Sequence, residues 1–181
     1  MKVTNYLLGY KDLYIVQDTN YFNFSLDSVL LPNFAIINKK ISKIMDIGCG
    51  NAPIPIILST KTSAKIIGVE LQKESFELAK ESIEINGLEN QIELINADIN
   101  DIYKSFEVGS FDLITCNPPY FKYSETSNVN LNDVKTIARH EIKLNLEQKM
   151  NYLTKFFIIT IIKKNYGKNN KRSCIGGIRI Q

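Results

Sequence analysis

Four short segments carry side chains whose types and spacing could do chemistry. The first is Asp46-Ile47-Gly48-Cys49-Gly50-Asn51-Ala52, where an apolar run breaks into a glycine turn ahead of a helix-forming stretch. Glycines at such a turn let the main chain pass close to a ligand, and the helix N-terminus beyond it attracts polar or negative groups. A dinucleotide fingerprint needs a third glycine three residues on, but position 53 is Pro, so hydride chemistry loses support. Asp46, Gly48 and Gly50 therefore form either a ligand cradle or a tight structural turn. The second segment is Lys65-Ile66-Ile67-Gly68-Val69-Glu70. An acid ending the second strand of a parallel sheet lies beside the first turn, where its two oxygens can accept hydrogen bonds from both hydroxyls of a ribose. The competing reading is a solvent-exposed carboxylate.

The third segment, Asn96-Ala97-Asp98, ends a further strand at the same edge of the sheet. Asp98 suits either the exocyclic amine of an adenine or the N-cap of the helix it precedes, and the two roles are compatible. The fourth is Asn117-Pro118-Pro119-Tyr120, directly after the hydrophobic run Phe111 to Cys116. Two successive prolines stiffen the turn and remove two main-chain donors, leaving acceptors behind. The Asn117 amide oxygen and the Pro118 carbonyl can both accept from one planar NH2 group, which draws its lone pair out of conjugation and makes a weak nucleophile stronger. Tyr120 offers a stacking face for a base or an amide plane. No strong general base is then required. The single His of the chain lies in Arg139-His140-Glu141, a setting that reads as structural, and Cys49 and Cys116 read as small packing residues rather than nucleophiles.

Positioning these segments calls for an open parallel α/β sheet of Rossmann-like form with helices on both faces. Short β-branched runs at Lys43 to Ile47, Lys65 to Glu70, Ile92 to Asn96 and Phe111 to Cys116 alternate with stretches of helical period. The clearest helix spans Lys73 to Asn86, with Phe76, Leu78, Ala79 and Ile83 on an apolar stripe and Asn86-Gly87 as its left-handed end. A second helix starts near Pro53, a short third follows Asp98, and a fourth covers Glu141 to Leu153. Residues 117–133 are polar and read as a long loop. Residues 1–42, with the aromatic and apolar run Tyr21 to Leu31, read as a cap or lead-in helix rather than a separate domain. The domain proper is 1–162, followed by a basic tail, 163–181.

Composition bounds the class. A chain of 181 residues with 44% hydrophobic and 23% charged residues has the material for one globular core. Its net charge of +3 belongs to the tail, which holds Lys163, Lys164, Lys168, Lys171, Arg172 and Arg179 and no acid. Without those six bases, residues 1–162 carry 16 Lys+Arg against 19 Asp+Glu, a net −3. A basic tail on a slightly acidic body suits a phosphate-rich partner or is simply a solvated end. Three widely spaced cysteines, with no CxxC pair, favour neither a disulfide framework nor a zinc site, so no metal is expected and the chain reads as cytoplasmic. The longest apolar run, Phe156 to Ile162, is too short to span a bilayer.

Together the four segments resemble the class I S-adenosylmethionine-dependent methyltransferases, in the amino-methylating group with an (Asn/Asp)-Pro-Pro-(Tyr/Phe) motif. Phe24-Ser25-Leu26-Asp27-Ser28-Val29-Leu30-Leu31 and Ala138-Arg139-His140-Glu141 narrow the likeness to the bacterial tRNA1(Val) (adenine-37-N6) methyltransferases, over roughly residues 5 to 150. The resemblance implies S-adenosylmethionine as cofactor and tRNA as partner. It implies that Asp46, Gly48 and Gly50 shape the methionine end of the pocket, Glu70 holds the ribose, Leu71 packs on the adenine and Asp98 contacts its amine. Asn117 and Pro118, followed by Pro119, would orient the target N6, with Tyr120 stacked on the flipped base.

The family continues into a fifth strand and a C-terminal antiparallel hairpin that completes a seven-stranded sheet. Residues 163–181 are basic, contain glycine and leave no room for that hairpin, so the C-terminal strands are expected to be incomplete and the ending reads as a truncation. Two other functions stay open at this point: methylation of a glutamine amide in a release factor, and an inactive remnant that only binds cofactor or RNA.

Overall fold

The computed structural model describes residues 1–20 and 25–117. The expected strands fall in one four-stranded parallel sheet. Strand β3 (Lys43–Ile47) lies between β4 (Lys65–Glu70) and β6 (Leu113–Cys116), with β5 (Ile92–Asn96) on the far side of β4, giving the order β5-β4-β3-β6. Ile44 pairs with Ile66 and Leu113, and Asp46 with Gly68 and Thr115. The reversal of strand order beside β3 makes its C-terminal end a crevice, the place where open α/β sheets bind ligands. β6 starts two residues later than expected, although Phe111 is fully buried.

Both faces of β3, β4 and β6 are buried, which is why these strands are largely apolar, while the edge strand β5 is only partly covered. Successive residues alternate sides. Ile44, Ile66 and Leu113 pack with Ile54, Ile56, Ile57 and Leu58 of α2 (Pro53–Ser59) and with Ala79 and Ile83 of α3 (Lys73–Ile85). Met45, Ile67 and Ile114 pack on the other side with Phe111 and Ile99 of the short α4 (Ile99–Ile102). The buried stripe of α3 differs in one respect from the expected one: Ser75 and Ser82 join Leu78, Ala79 and Ile83, while Phe76 is only half-buried. Gly87 follows the helix at φ +66°, the left-handed end expected from Asn86-Gly87.

The region before β3 corrects the sequence reading. It is not a lead-in helix alone but an antiparallel hairpin, β1 (Lys2–Leu7) and β2 (Tyr10–Asp18), followed by α1 (Leu26–Phe34). Gly9, at φ +84°, makes the turn, and the Tyr6 and Tyr14 rings face each other across the strands at 4.9 Å between centroids. Three successive residues of β2, Ile15, Val16 and Gln17, are buried, so the alternation that marks a half-buried strand is hidden there.

Among the described residues, the outer edge of β2 is closed by side chains rather than by a third strand. Asn86 accepts from the Tyr14 N–H at 2.9 Å and donates to the Tyr14 carbonyl at 2.8 Å. Two residues on, the Val16 N–H donates to Ser82 Oγ at 2.9 Å, and the Val16 carbonyl accepts from Asn51 Nδ2 at 2.8 Å. These groups satisfy main-chain atoms whose burial unpaired would cost about 1–3 kcal/mol each. They also fasten the hairpin both to α3 and to the glycine turn after β3. The expected helix at 141–153, most of the loop at 117–133, the tail 163–181 and any further strands lie outside the described residues.

Candidate functional site

The candidate site residues among those described gather at the C-terminal ends of the parallel strands. Asp46 enters it from β3. Its Oδ1 accepts the Thr115 hydroxyl of β6 at 2.6 Å, and its Oδ2 is buried with no hydrogen-bond partner among the described residues. Burial pushes this carboxyl up to about 8, the negative charge of Glu70 adds to the rise, and the Thr115 hydrogen bond opposes it.

The turn beyond β3 is built from left-handed residues. Gly48, Gly50 and Ala52 have φ of 70°, 58° and 70°. At Ala52 this conformation carries a side chain that disfavours it, a strain of the kind found at ligand-holding turns. The N–H groups of Gly48 and Cys49 both donate to the Val69 carbonyl of β4, at 2.8 and 3.1 Å. Gly68, on β4 opposite Asp46, admits no larger residue without movement: a Cβ there would lie 2.8 Å from Leu94 Cδ2 and 3.0 Å from Cys49 Sγ. Cys49 and Cys116 are buried thiols, held protonated by their apolar surroundings.

Glu70 is not the solvent-exposed carboxylate of the competing reading. It is 8% exposed, with Oε2 accepting the Gly50 N–H at 2.7 Å and Oε1 the Gln72 N–H at 2.8 Å. Burial raises its carboxyl above the ordinary value while the main-chain hydrogen bonds hold it down. Leu71, the next residue, leaves an apolar side chain 43% exposed beside the turn. Asn96 Nδ2 donates to the Glu70 and Leu71 carbonyls at 2.8 and 3.1 Å, fixing the main chain that carries them. Asp98 is the N-cap of α4, its Oδ1 accepting from the Asn100 N–H at 2.7 Å.

Asn117 follows β6 directly. Its Nδ2 donates to Ser28 Oγ of α1 at 2.9 Å, so the hairpin-and-helix segment at the N-terminus reaches the site as well. The sequence reading missed Ser28, Asn51, Asn96 and Thr115 as partners of the site. Only their place in or beside the quoted motifs pointed to them, since each bonds to a residue distant in the chain. Pro118, Pro119, Tyr120 and His140 lie outside the described residues. Among the described residues no group of three or more His, Cys, Asp or Glu side chains is placed to hold a metal ion, and no helix is long and apolar enough to cross a membrane.

A family model described as a methyltransferase domain matches residues 38–173, three quarters of the chain. The chain belongs to this methyltransferase family. Among its relatives, the tRNA1(Val) (adenine(37)-N6)-methyltransferase of Glaesserella parasuis serovar 5 is 32% identical over 146 residues, covering 80% of this chain and 60% of the relative. The protein of that name from Tolumonas auensis is 29% identical over 160 residues, covering 84% of this chain and 64% of the relative. The chain thus spans less than two thirds of the length of those relatives. Among solved structures, P. horikoshii TYW2 in complex with MeSAdo shares the fold with a TM-score of 0.57 at 16% identity, over 86% of this chain and 49% of that one. The methyltransferase match begins at residue 38, so the hairpin and the whole of α1 precede the matched segment while supplying Val16 and Ser28 to its turn and to Asn117.

Proposed function

We propose that this methyltransferase transfers a methyl group from S-adenosylmethionine to the exocyclic N6 amine of an adenine in tRNA, adenine 37 of tRNA1(Val). One observation carries the reading: the Asn117 amide stands at the end of β6, the strand paired with β3, beside the turn formed by Asp46, Gly48 and Gly50. The relatives' names as tRNA methyltransferases favour tRNA over a release-factor glutamine as substrate.

The residues present fit the cofactor. Asp46 Oδ2, buried and unpartnered among the described residues, suits a cationic group at the methionine end of the pocket. At Gly50 a Cβ would meet nothing within 4 Å, so a ligand can approach the main chain there. Glu70 would take the ribose hydroxyls through lone pairs not used by Gly50 and Gln72, and Leu71 would pack on the adenine ring. Asp98 would accept from the adenine amine while remaining the cap of α4. S-adenosylmethionine supplies a methyl group already activated on a sulfonium. The protein then has to align the acceptor for in-line displacement. The Asn117 oxygen and the Pro118 carbonyl would accept the two amine hydrogens and localise the nitrogen lone pair, with Pro119 stiffening the turn and Tyr120 stacking on the flipped base. The basic residues of 163–181 would add sequence-independent attraction to tRNA phosphates.

The test incubates the purified full chain with methyl-labelled S-adenosylmethionine and unmodified tRNA(Val), followed by mass spectrometry of the nucleosides. N6-methyladenosine that appears in the tRNA only when the chain is present supports the proposal. Transfer to a release-factor peptide but not to tRNA would replace it with the glutamine reading. Absence of both cofactor heat by calorimetry and any melting shift would identify an inactive remnant.

A further inference from the structure

The segment Ser25-Leu26-Asp27-Ser28 was singled out by its sequence, and only the fold shows what its last residue touches. Ser28 is 6% exposed on α1, and its Oγ accepts the Asn117 Nδ2 hydrogen at 2.9 Å across 89 positions of chain. The platform that carries Ser28 is fixed on several sides. Val29 and Leu31 are buried in the same core as α2, the Pro32 carbonyl accepts from Lys61 Nζ at 2.6 Å, and Asn33 bonds both the Val29 carbonyl and the Tyr10 hydroxyl.

A side-chain amide turned by 180° exchanges an acceptor for two donors at nearly the same positions. In the amine-methylating role, on which this inference rests, only one of the two orientations is useful, because an NH2 group facing the substrate amine would repel it. We propose that Ser28 is a positioning residue for Asn117: its hydroxyl oxygen holds the amide N–H on the α1 side and so turns the amide carbonyl toward the amine to be methylated. Ser28 touches neither substrate nor cofactor in this role. It holds in place the group that does, which reduces the reorganisation needed at the moment of transfer.

The test compares wild type with Ser28→Ala and Ser28→Thr as full chains. In 15N spectra the side-chain amide pair of Asn117, assigned by its loss in Asn117→Ala, is expected to shift and to exchange faster in Ser28→Ala, and to return toward its wild-type position in Ser28→Thr, which keeps a hydroxyl. With unmodified tRNA(Val) as substrate, Ser28→Ala should lower kcat about 10-fold, the loss of one hydrogen bond at the reacting centre, with the S-adenosylmethionine Kd within about 2-fold of wild type. An unmoved amide pair overturns the proposal, and so does a fall in kcat matched by an equal loss of cofactor affinity and of Tm, the signature of a merely structural serine. If wild type methylates no tRNA while Ser28→Ala still moves the amide pair, the substrate reading has failed and the anchoring of Asn117 stands.

Discussion

Glu70 and Gly50, twenty residues apart in the chain, meet at 2.7 Å, the carboxylate Oε2 accepting the main-chain N–H of the glycine turn. Its second oxygen holds the Gln72 N–H at 2.8 Å, so one buried side chain ties the end of β4 to the turn after β3. Glu70→Ala leaves two main-chain donors without their acceptor and is expected to cost about 1–3 kcal/mol in urea denaturation. Glu70→Gln, which retains an acceptor oxygen, should cost less. Under the ribose-binding role, Glu70→Ala also weakens S-adenosylmethionine at least about 10-fold by calorimetry, and an unchanged affinity would remove Glu70 from the cofactor site.

Asp46 sets a pH dependence of stability. Burial lifts its carboxyl from an ordinary 3.8 to about 8, so the folded state favours the neutral acid. The stability that Asp46 contributes is therefore whole below the ordinary carboxylate value and is lost as pH rises toward about 8. Glu70, raised by burial too, acts in the same direction. Relative to Asp46→Asn, which cannot ionise, the Tm of the cofactor-free wild type should fall progressively between pH 4 and pH 8. Scanning calorimetry of both proteins across that range checks this; parallel profiles would show that Asp46 is charged throughout.

Ser82→Ala removes the acceptor of the buried Val16 N–H. The expected loss is about 1–3 kcal/mol, accompanied by faster hydrogen exchange at the Val16 amide and at its neighbours in β2. Exchange at β3 and β4 should change only through the global stability. A uniform change across all strands would mean that the hairpin and the sheet unfold as one unit.

Asn117→Ala should abolish methyl transfer, with an effect on kcat of about 100-fold or more, while S-adenosylmethionine binds with nearly wild-type affinity. Under the proposed roles the separation is expected, because Asn117 would act on the amine and Glu70 and Asp46 on the cofactor. Parallel loss of cofactor binding would contradict the division of roles.

The parallel sheet was legible because its strands are short, largely apolar runs, the form that burial on both faces imposes on β3, β4 and β6. Glu70, Asp98 and Asn117 could be picked out for the same reason: each is the polar residue that ends or closely follows such a run. The structure brings Asp46 and Glu70 to one edge of the sheet with Asn117, and it gives Asp98 the cap role that its sequence left open. The hairpin was not legible because Ile15, Val16 and Gln17 are all buried, Val16 and Gln17 on opposite sides of a strand whose edge is closed by α3. Ser28, Asn51, Asn96 and Thr115 escaped for a different reason. Their partners lie 89, 35, 26 and 69 positions away, and no local pattern encodes a bond across such distances.

The side chains that close β2 have a consequence for biosynthesis. A ribosome completes residues 10–18 well before it reaches Asn51, Ser82 and Asn86, so the nascent hairpin emerges with an open row of donors and acceptors, the kind of edge that recruits strands from other chains. Translation pausing within that interval would lengthen the exposure of this edge, and completion of α3 ends it.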